Sequence, residues 1–242
     1  MLWKRLFLFD WKYHFSLKGY DSEASNTLTK CILEGGSRIK RIFALTISLS
    51  LVLSACSGIE DEPEAMTDLK TEESLQEVSQ DDSTFSIEWL VDSMDRGNHD
   101  LDTDVHGKLV VSKNVEPLER GDIIYYEHNQ GEHIGRVVGL PGETIEIKKG
   151  QVFIDSRKLD TFYGTASVRG DGEKEYFEKT PKENYDSAAM KEYFQTSMEP
   201  VVVKDHTVFV LVDHWWRGYD SRYFGLIPNS EIKGVIVGHE KN

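Results

Sequence analysis

Three blocks of the chain concentrate residues able to do chemistry. They are Asp-Ser-Met-Asp-Arg-Gly at 92–97, a middle block at 119–143 that contains Glu-Arg-Gly-Asp and Gly-Arg-Val-Val-Gly-Leu-Pro-Gly-Glu, and Asp-His-Trp-Trp-Arg-Gly-Tyr-Asp-Ser-Arg-Tyr-Phe-Gly at 213–225. Between them they supply hydroxyl, imidazole, carboxylate and guanidinium groups. A serine hydroxyl becomes a nucleophile only when a neighbour takes its proton, so the question is which group could do that for Ser93. Gly135 sharpens it. A glycine inside a strand marks a bulge, a close backbone approach or a lost side chain, and we read Gly135 as the third. The eight histidines lie without zinc-ligand spacing and the two cysteines, Cys31 and Cys56, both precede the blocks, so we expect no metal and no cofactor.

In order and content the blocks resemble signal peptidase I, the membrane-bound serine endopeptidase that removes signal peptides from exported proteins. The resemblance covers roughly 85–240, apart from 163–200. It implies Ser93, followed by Met94, as the nucleophile. It also implies a lysine base just before the Arg of the Arg-Val-Val-Gly-Leu-Pro-Gly strand, and here that position is Gly135. A lysine base must be desolvated, because its ordinary pKa near 10.4 keeps it charged at neutral pH. Glycine cannot accept a proton at all. The family's serine two residues before Asp-Ser-Arg is likewise replaced, by Gly218, and its Gly-Asp-Asn-Arg has become Val212-Asp213-His214-Trp215. By contrast Arg136, Asp213, Asp220, Ser221 and Arg222 are kept, and the resemblance makes them the charge-paired scaffold of the site.

Other groups could replace the lysine. Side chains alternate along a strand, so His133 should share a side with Gly135, about 7 Å away, and a neutral imidazole needs no large pKa shift to act near pH 7. His133 is therefore our candidate base; the alternative is a histidine of the polar turn before the strand. Lys108 and Lys113 read as solvated strand-edge residues. Thr-Ser-Met-Glu-Pro at 196–200 matches the family's Ser-Met-x-Pro pattern better than 92–97 does, but it follows the lysine-position strand where the family's nucleophile precedes it. The Arg-Gly-Asp tripeptides at 120–122 and 169–171 read as turns. Trp215 and Trp216 read equally as core or as an apolar peptide-binding surface.

The elements that must position these groups form a β-rich region. Short apolar runs at 85–91, 107–113, 121–128, 133–140, 143–149, 151–155, 207–213 and 235–238 are separated by turns at Gly121, Pro141-Gly142, Gly150, Pro228 and Gly234. This spacing predicts a mainly β, folded antiparallel sheet system. A small helical and loop insertion, 163–200, lies on its surface, with Tyr185, Ala188, Ala189, Tyr193 and Phe194 at helical spacing.

Upstream, residues 38–55 read as an export signal: a basic start at Arg38, Lys40 and Arg41, then an apolar run too short to span about 30 Å of hydrocarbon. Leu53-Ser54-Ala55-Cys56 resembles the lipobox of bacterial lipoproteins, with Cys56 as the lipidated residue. Residues 1–37 form an N-terminal extension of uncertain role. Residues 56–84, rich in Glu, Asp, Ser and Thr, should be an extended acidic tether to the domain at 85–242. The chain's net charge of −14 argues against a nucleic-acid partner.

The expected location is the extracytoplasmic face of the cell membrane, lipid-anchored, whereas the family is anchored by transmembrane helices. The expected partners are extended peptides or preproteins. Two functions stay open: a signal peptidase I-like endopeptidase with an unusual base, or an impaired homologue that binds extended peptides or partners an active peptidase. A surface-adhesion lipoprotein would leave Ser93 and Asp-Ser-Arg without a reason.

Overall fold

The computed structural model describes residues 64–241, and the extension, the export signal and Cys56 lie outside them. In chain order the described elements begin with β1 (Ala65–Thr67), β2 (Glu77–Val78) and β3 (Thr84–Ile87). A 3-10 turn at Asp92–Met94, helix α1 (Thr103–His106) and β4 (Leu109–Ser112) follow. The central strands are β5 (Ile123–His128), β6 (Gly131–Gly139), β7 (Thr144–Lys148), β8 (Gln151–Ile154) and β9 (Arg157–Asp160). Helices α2 (Glu173–Lys179) and α3 (Ser187–Phe194) precede β10 (Met198–Val202) and β11 (Thr207–Leu211). A 3-10 turn at Trp215–Arg217, helix α4 (Ser221–Phe224), β12 (Ile227–Pro228) and β13 (Ile232–Glu240) follow, and further 3-10 turns lie at Lys182–Asn184 and Asn229–Glu231.

Two sheets result. An eight-stranded sheet runs β12-β11-β6-β5-β13-β4-β3, with β2 joined to β13, and a five-stranded sheet runs β1-β9-β8-β7-β10. Tight hairpins set much of this order. Asn129 and Gln130 between β5 and β6, Lys149 and Gly150 between β7 and β8, and Asp155 and Ser156 between β8 and β9 all take positive φ. Two consecutive positive-φ residues give the turn whose twist matches paired strands. The fold is mainly β and antiparallel, as expected.

Three expectations are corrected. The acidic segment is not a free tether over 64–84: β1 adds in parallel to β9, and β2 adds in parallel to β13. Leu75 N donates to Asp100 (2.7 Å) and Tyr163 Oη donates to Asp68 (2.5 Å). The segment satisfies sheet edges with its backbone while its charges face water, a use that composition does not reveal. Nor is 163–200 a surface appendage. Met190, Tyr193 and Phe194 of α3 are buried against Ile145, Ile147, Val152 and Trp215, so its apolar stripe completes the core of the smaller sheet. Gly234 makes no turn; it lies inside β13 at a register shift, where its missing side chain admits Ser112 O and Val111.

Candidate active site

Ser93 occupies the 3-10 turn Asp92–Met94, and three bonds clasp this turn to the segment 213–217. Arg217 Nε donates to Asp92 (2.9 Å), His214 N donates to Ser93 O (2.9 Å), and Asp213 N donates to Met94 Sδ (3.4 Å). Met94 is 1% exposed and anchors the turn in a cluster with Leu101, Ile123, Ile134 and Val212. Asp95 closes the following loop by accepting from Gly97 N (2.8 Å) and His99 N (3.1 Å). Ser93 is buried as a residue, but its hydroxyl, which bonds no other described residue, is not among the sealed polar atoms. A shallow depression beside it is lined by Leu90, Val91, Asp92, Asp95 and Leu101.

Arg136 is buried on β6 and reaches Asp213 with two parallel bonds, Nε to Oδ1 (2.8 Å) and Nη2 to Oδ2 (2.6 Å), while Nη1 donates to Gly121 O (2.9 Å). Burial opposes its charge, but Asp213 more than compensates, and the net pKa direction is upward. The rings of Phe162 and Tyr163 face the guanidinium at 5.0 and 5.3 Å, a cation–π arrangement that suits a desolvated arginine.

The Asp-Ser-Arg block completes an edge. Asp220 caps α4, accepts from Arg222 Nε (2.8 Å) and also accepts from Val212 N (3.0 Å); Ser221 Oγ accepts from Val210 N (2.9 Å). Two backbone donors at the end of β11 are thereby satisfied by side chains. Arg222 also donates to Trp215 O (3.0 Å) and lies 4.9 Å from its ring. Trp215 is core, whereas Trp216 is half exposed.

Gly135 does not border an open slot. A Cβ built on it would lie 2.5 Å from Val210 Cγ1 and 3.3 Å from Leu211 O. The structure therefore shows a close approach of β11 to β6, and our lost-side-chain reading is corrected to that extent: whatever room a longer side chain needs is filled. At Gly218 a Cβ would lie 2.8 Å from Ser93 Cβ and 2.9 Å from a Val212 methyl. The two glycines are the places where neighbouring segments touch.

His133 sits elsewhere. Its ring stacks on Tyr126 (5.3 Å), meets Phe224 edge-on (5.1 Å) and approaches His128 O through Nε2 (3.3 Å). Tyr126 and Phe224 belong to the cluster with Val137 and Val210, which does not contain Met94. Burial lowers the His133 pKa. Lys108 pairs with Glu88 (3.5 Å), and Lys113 Nζ donates to Asp82 O (3.0 Å). The 196–200 motif is structural: Ser197 Oγ accepts from Lys149 N (3.0 Å), and Met198 opens β10.

Sequence reasoning missed His214. It is 3% exposed; neither ring nitrogen makes a hydrogen bond of good geometry among the described residues, although the Asp92 backbone carbonyl lies close enough to favour the protonated ring. Burial lowers its pKa against the opposing pull of the Asp92 and Asp95 charges. The available signal was the change from Asn to His in the Gly-Asp-Asn-Arg pattern.

The site is thus a turn presenting a buried serine, braced by two arginine–carboxylate pairs on a mainly β fold. The chain belongs to the family described as signal peptidase, peptidase S26, whose model matches residues 84–238. Among curated relatives it is 28% identical over 124 residues to signal peptidase I S of Bacillus subtilis strain 168, covering 51% of this chain and 59% of that one. It is 27% identical over 132 residues to the inactive signal peptidase IA of Staphylococcus aureus strain MRSA252, covering 53% and 66%. The chain thus spans about three fifths of the length of these relatives. A solved signal peptidase I from Enterococcus faecalis V583 is 25% identical and covers 50% of this chain and 97% of its own, with a TM-score of 0.37. Both active and inactive names occur among the relatives, so membership alone does not decide catalysis.

Proposed function

We propose that this chain is a signal peptidase I-like serine endopeptidase acting on exported polypeptides, with Ser93 as nucleophile and without the family's lysine. One observation carries the reading: the three-bond clasp fixes the turn of Ser93 while its hydroxyl is tied to no other group and is not among the sealed polar atoms, so it is held in place and open to a substrate. Leu90 and Val91, 66% and 51% exposed beside the turn, are suited to contact an apolar extended segment, with small residues next to the cleaved bond as the family resemblance implies.

Lipidation of Cys56 would hold the domain at the outer face of the membrane. Because β1 starts at Ala65, the linking residues 57–64 reach at most about 30 Å. The domain would then work close to the bilayer, where exported chains emerge. No helix among the described residues is long and apolar enough to cross a membrane.

The filled space at Gly135 favours a second reading, an impaired homologue that holds extended peptides or partners an active peptidase. Cleavage of a signal-peptide substrate by the chain from Ser57 onward separates the two. Turnover that disappears in Ser93→Ala supports the peptidase; peptide binding without turnover, unchanged in Ser93→Ala, supports the binding protein.

A further inference from the structure

We propose that His214 is the proton acceptor for Ser93, replacing the lysine from a different strand end. The inference rests on the reading of Ser93 as a nucleophile. It begins from an unusual polar group: an imidazole 3% exposed, whose Nδ1 and Nε2 make no hydrogen bond of good geometry among the described residues, with the Asp92 backbone carbonyl as a weak neighbour. Leaving a buried polar atom unpaired costs about 1–3 kcal/mol, so a native structure rarely buries an underpaired imidazole without a use.

The position supplies the use. His214 N is bonded to Ser93 O, and the residues on either side of His214 join the same turn through Asp213 to Met94 and Arg217 to Asp92. His214 and Ser93 are therefore held side by side through their backbones. Gly218 contributes space, because any Cβ there would collide with Ser93 Cβ. The charged groups facing His214 are Asp92 and Asp95 from the serine's own segment and Arg217 from the turn Trp215–Arg217. Burial outweighs the two carboxylates and keeps the ring neutral near pH 7, the form that accepts a proton.

As Ser93 Oγ bonds to the scissile carbonyl carbon, its proton moves to a ring nitrogen of His214. The imidazolium returns that proton to the leaving amine nitrogen as the C–N bond breaks, leaving an acyl ester on Ser93. Water then adds to the ester carbonyl and gives a proton to His214, which passes it to Oγ as the C–O bond breaks and the carboxylate product departs.

The test uses the full chain in detergent, an internally quenched signal-peptide substrate, and labelling of Ser93 by a fluorophosphonate read by intact mass. His214→Gln keeps hydrogen-bonding capacity but is not a base. It should lower kcat and the labelling rate about 100-fold or more, with KM little changed. In the unmutated chain both rates should rise with pH along a limb whose midpoint lies below about 6.5, the ordinary imidazole value. If Ser93→Ala abolishes turnover while His214→Gln keeps it, the serine peptidase stands and His214 is rejected. If His214→Gln fails to fold, the pH limb decides: an alkaline midpoint overturns the proposal. A folded unmutated chain that neither cleaves nor labels overturns the peptidase reading, and the base with it.

Discussion

Residues 135 and 136 are neighbours on one strand, yet their surroundings have been treated in opposite ways. Arg136 keeps its two parallel bonds to Asp213, its bond to Gly121 O and its two aromatic neighbours. Gly135 has no side chain, and Val210 and the Leu211 carbonyl have closed over its place. The difference follows from energetics. Removing half of a buried ion pair leaves an uncompensated charge, which costs about 3–5 kcal/mol, so the brace is hard to lose whatever the protein does. A lysine base carries no such penalty for loss, since its desolvation opposes folding and an apolar neighbour can fill its space. The brace reports on the fold, whereas position 135 reports on the chemistry.

The largest expected effect breaks the brace. Arg136→Ala and Asp213→Ala should each destabilise the domain by about 3–5 kcal/mol, measured as a lowered urea midpoint. Replacing both at once with apolar residues, Arg136→Met with Asp213→Leu, should cost less than either single change. If the single alanines cost under about 1 kcal/mol, the pair is not what holds the sheet to the serine's turn.

A smaller effect concerns the closed place. Gly135→Lys should not create lysine-type activity. It should destabilise by about 1–3 kcal/mol, because its Cβ overpacks against Val210. Adding Val210→Ala removes the obstructing methyl and should recover part of that loss, seen as a rise in melting temperature over the single variant. A folded Gly135→Lys protein that cleaves substrate with an alkaline pH limb would show the lysine slot to be intact and would erase the contrast with residue 136.

The readable and unreadable parts of the chain divide along similar lines. Strands β4 to β8 and β11 follow from short apolar runs, and the hairpin turns come from local residue chemistry. The scaffold residues Arg136, Asp213, Asp220, Ser221 and Arg222 were legible as motifs, and the structure engages each of them. Around the site, three further things were not legible. The strand expected over 85–91 stops at Ile87, so that Leu90 and Val91 stand exposed before the serine's turn. His133 shares a strand side with Gly135, yet alternation alone does not reveal that this side packs on Tyr126 and Phe224. His214 depends on the meeting of two turns about 120 residues apart, a long-range contact with no local periodicity to announce it.

The smallest expected effect separates the acidic segment from the sheets it borders. Leu75 N donates to Asp100 across 2.7 Å, β2 pairs with β13 at His239 and Glu240, and Lys241 N donates to Val78 O (3.0 Å). Beyond these contacts, most side chains of 68–82 face water. Asp100→Ala should therefore loosen this segment locally by about 1–2 kcal/mol while leaving the global urea midpoint nearly unchanged. Amide hydrogen exchange reads the difference: faster exchange confined to residues 75–80, with β5 and β6 still protected. Equal acceleration in β5 would mean that the acidic segment is part of the cooperative core. It would then stabilise the serine's turn rather than only linking the domain to whatever precedes it.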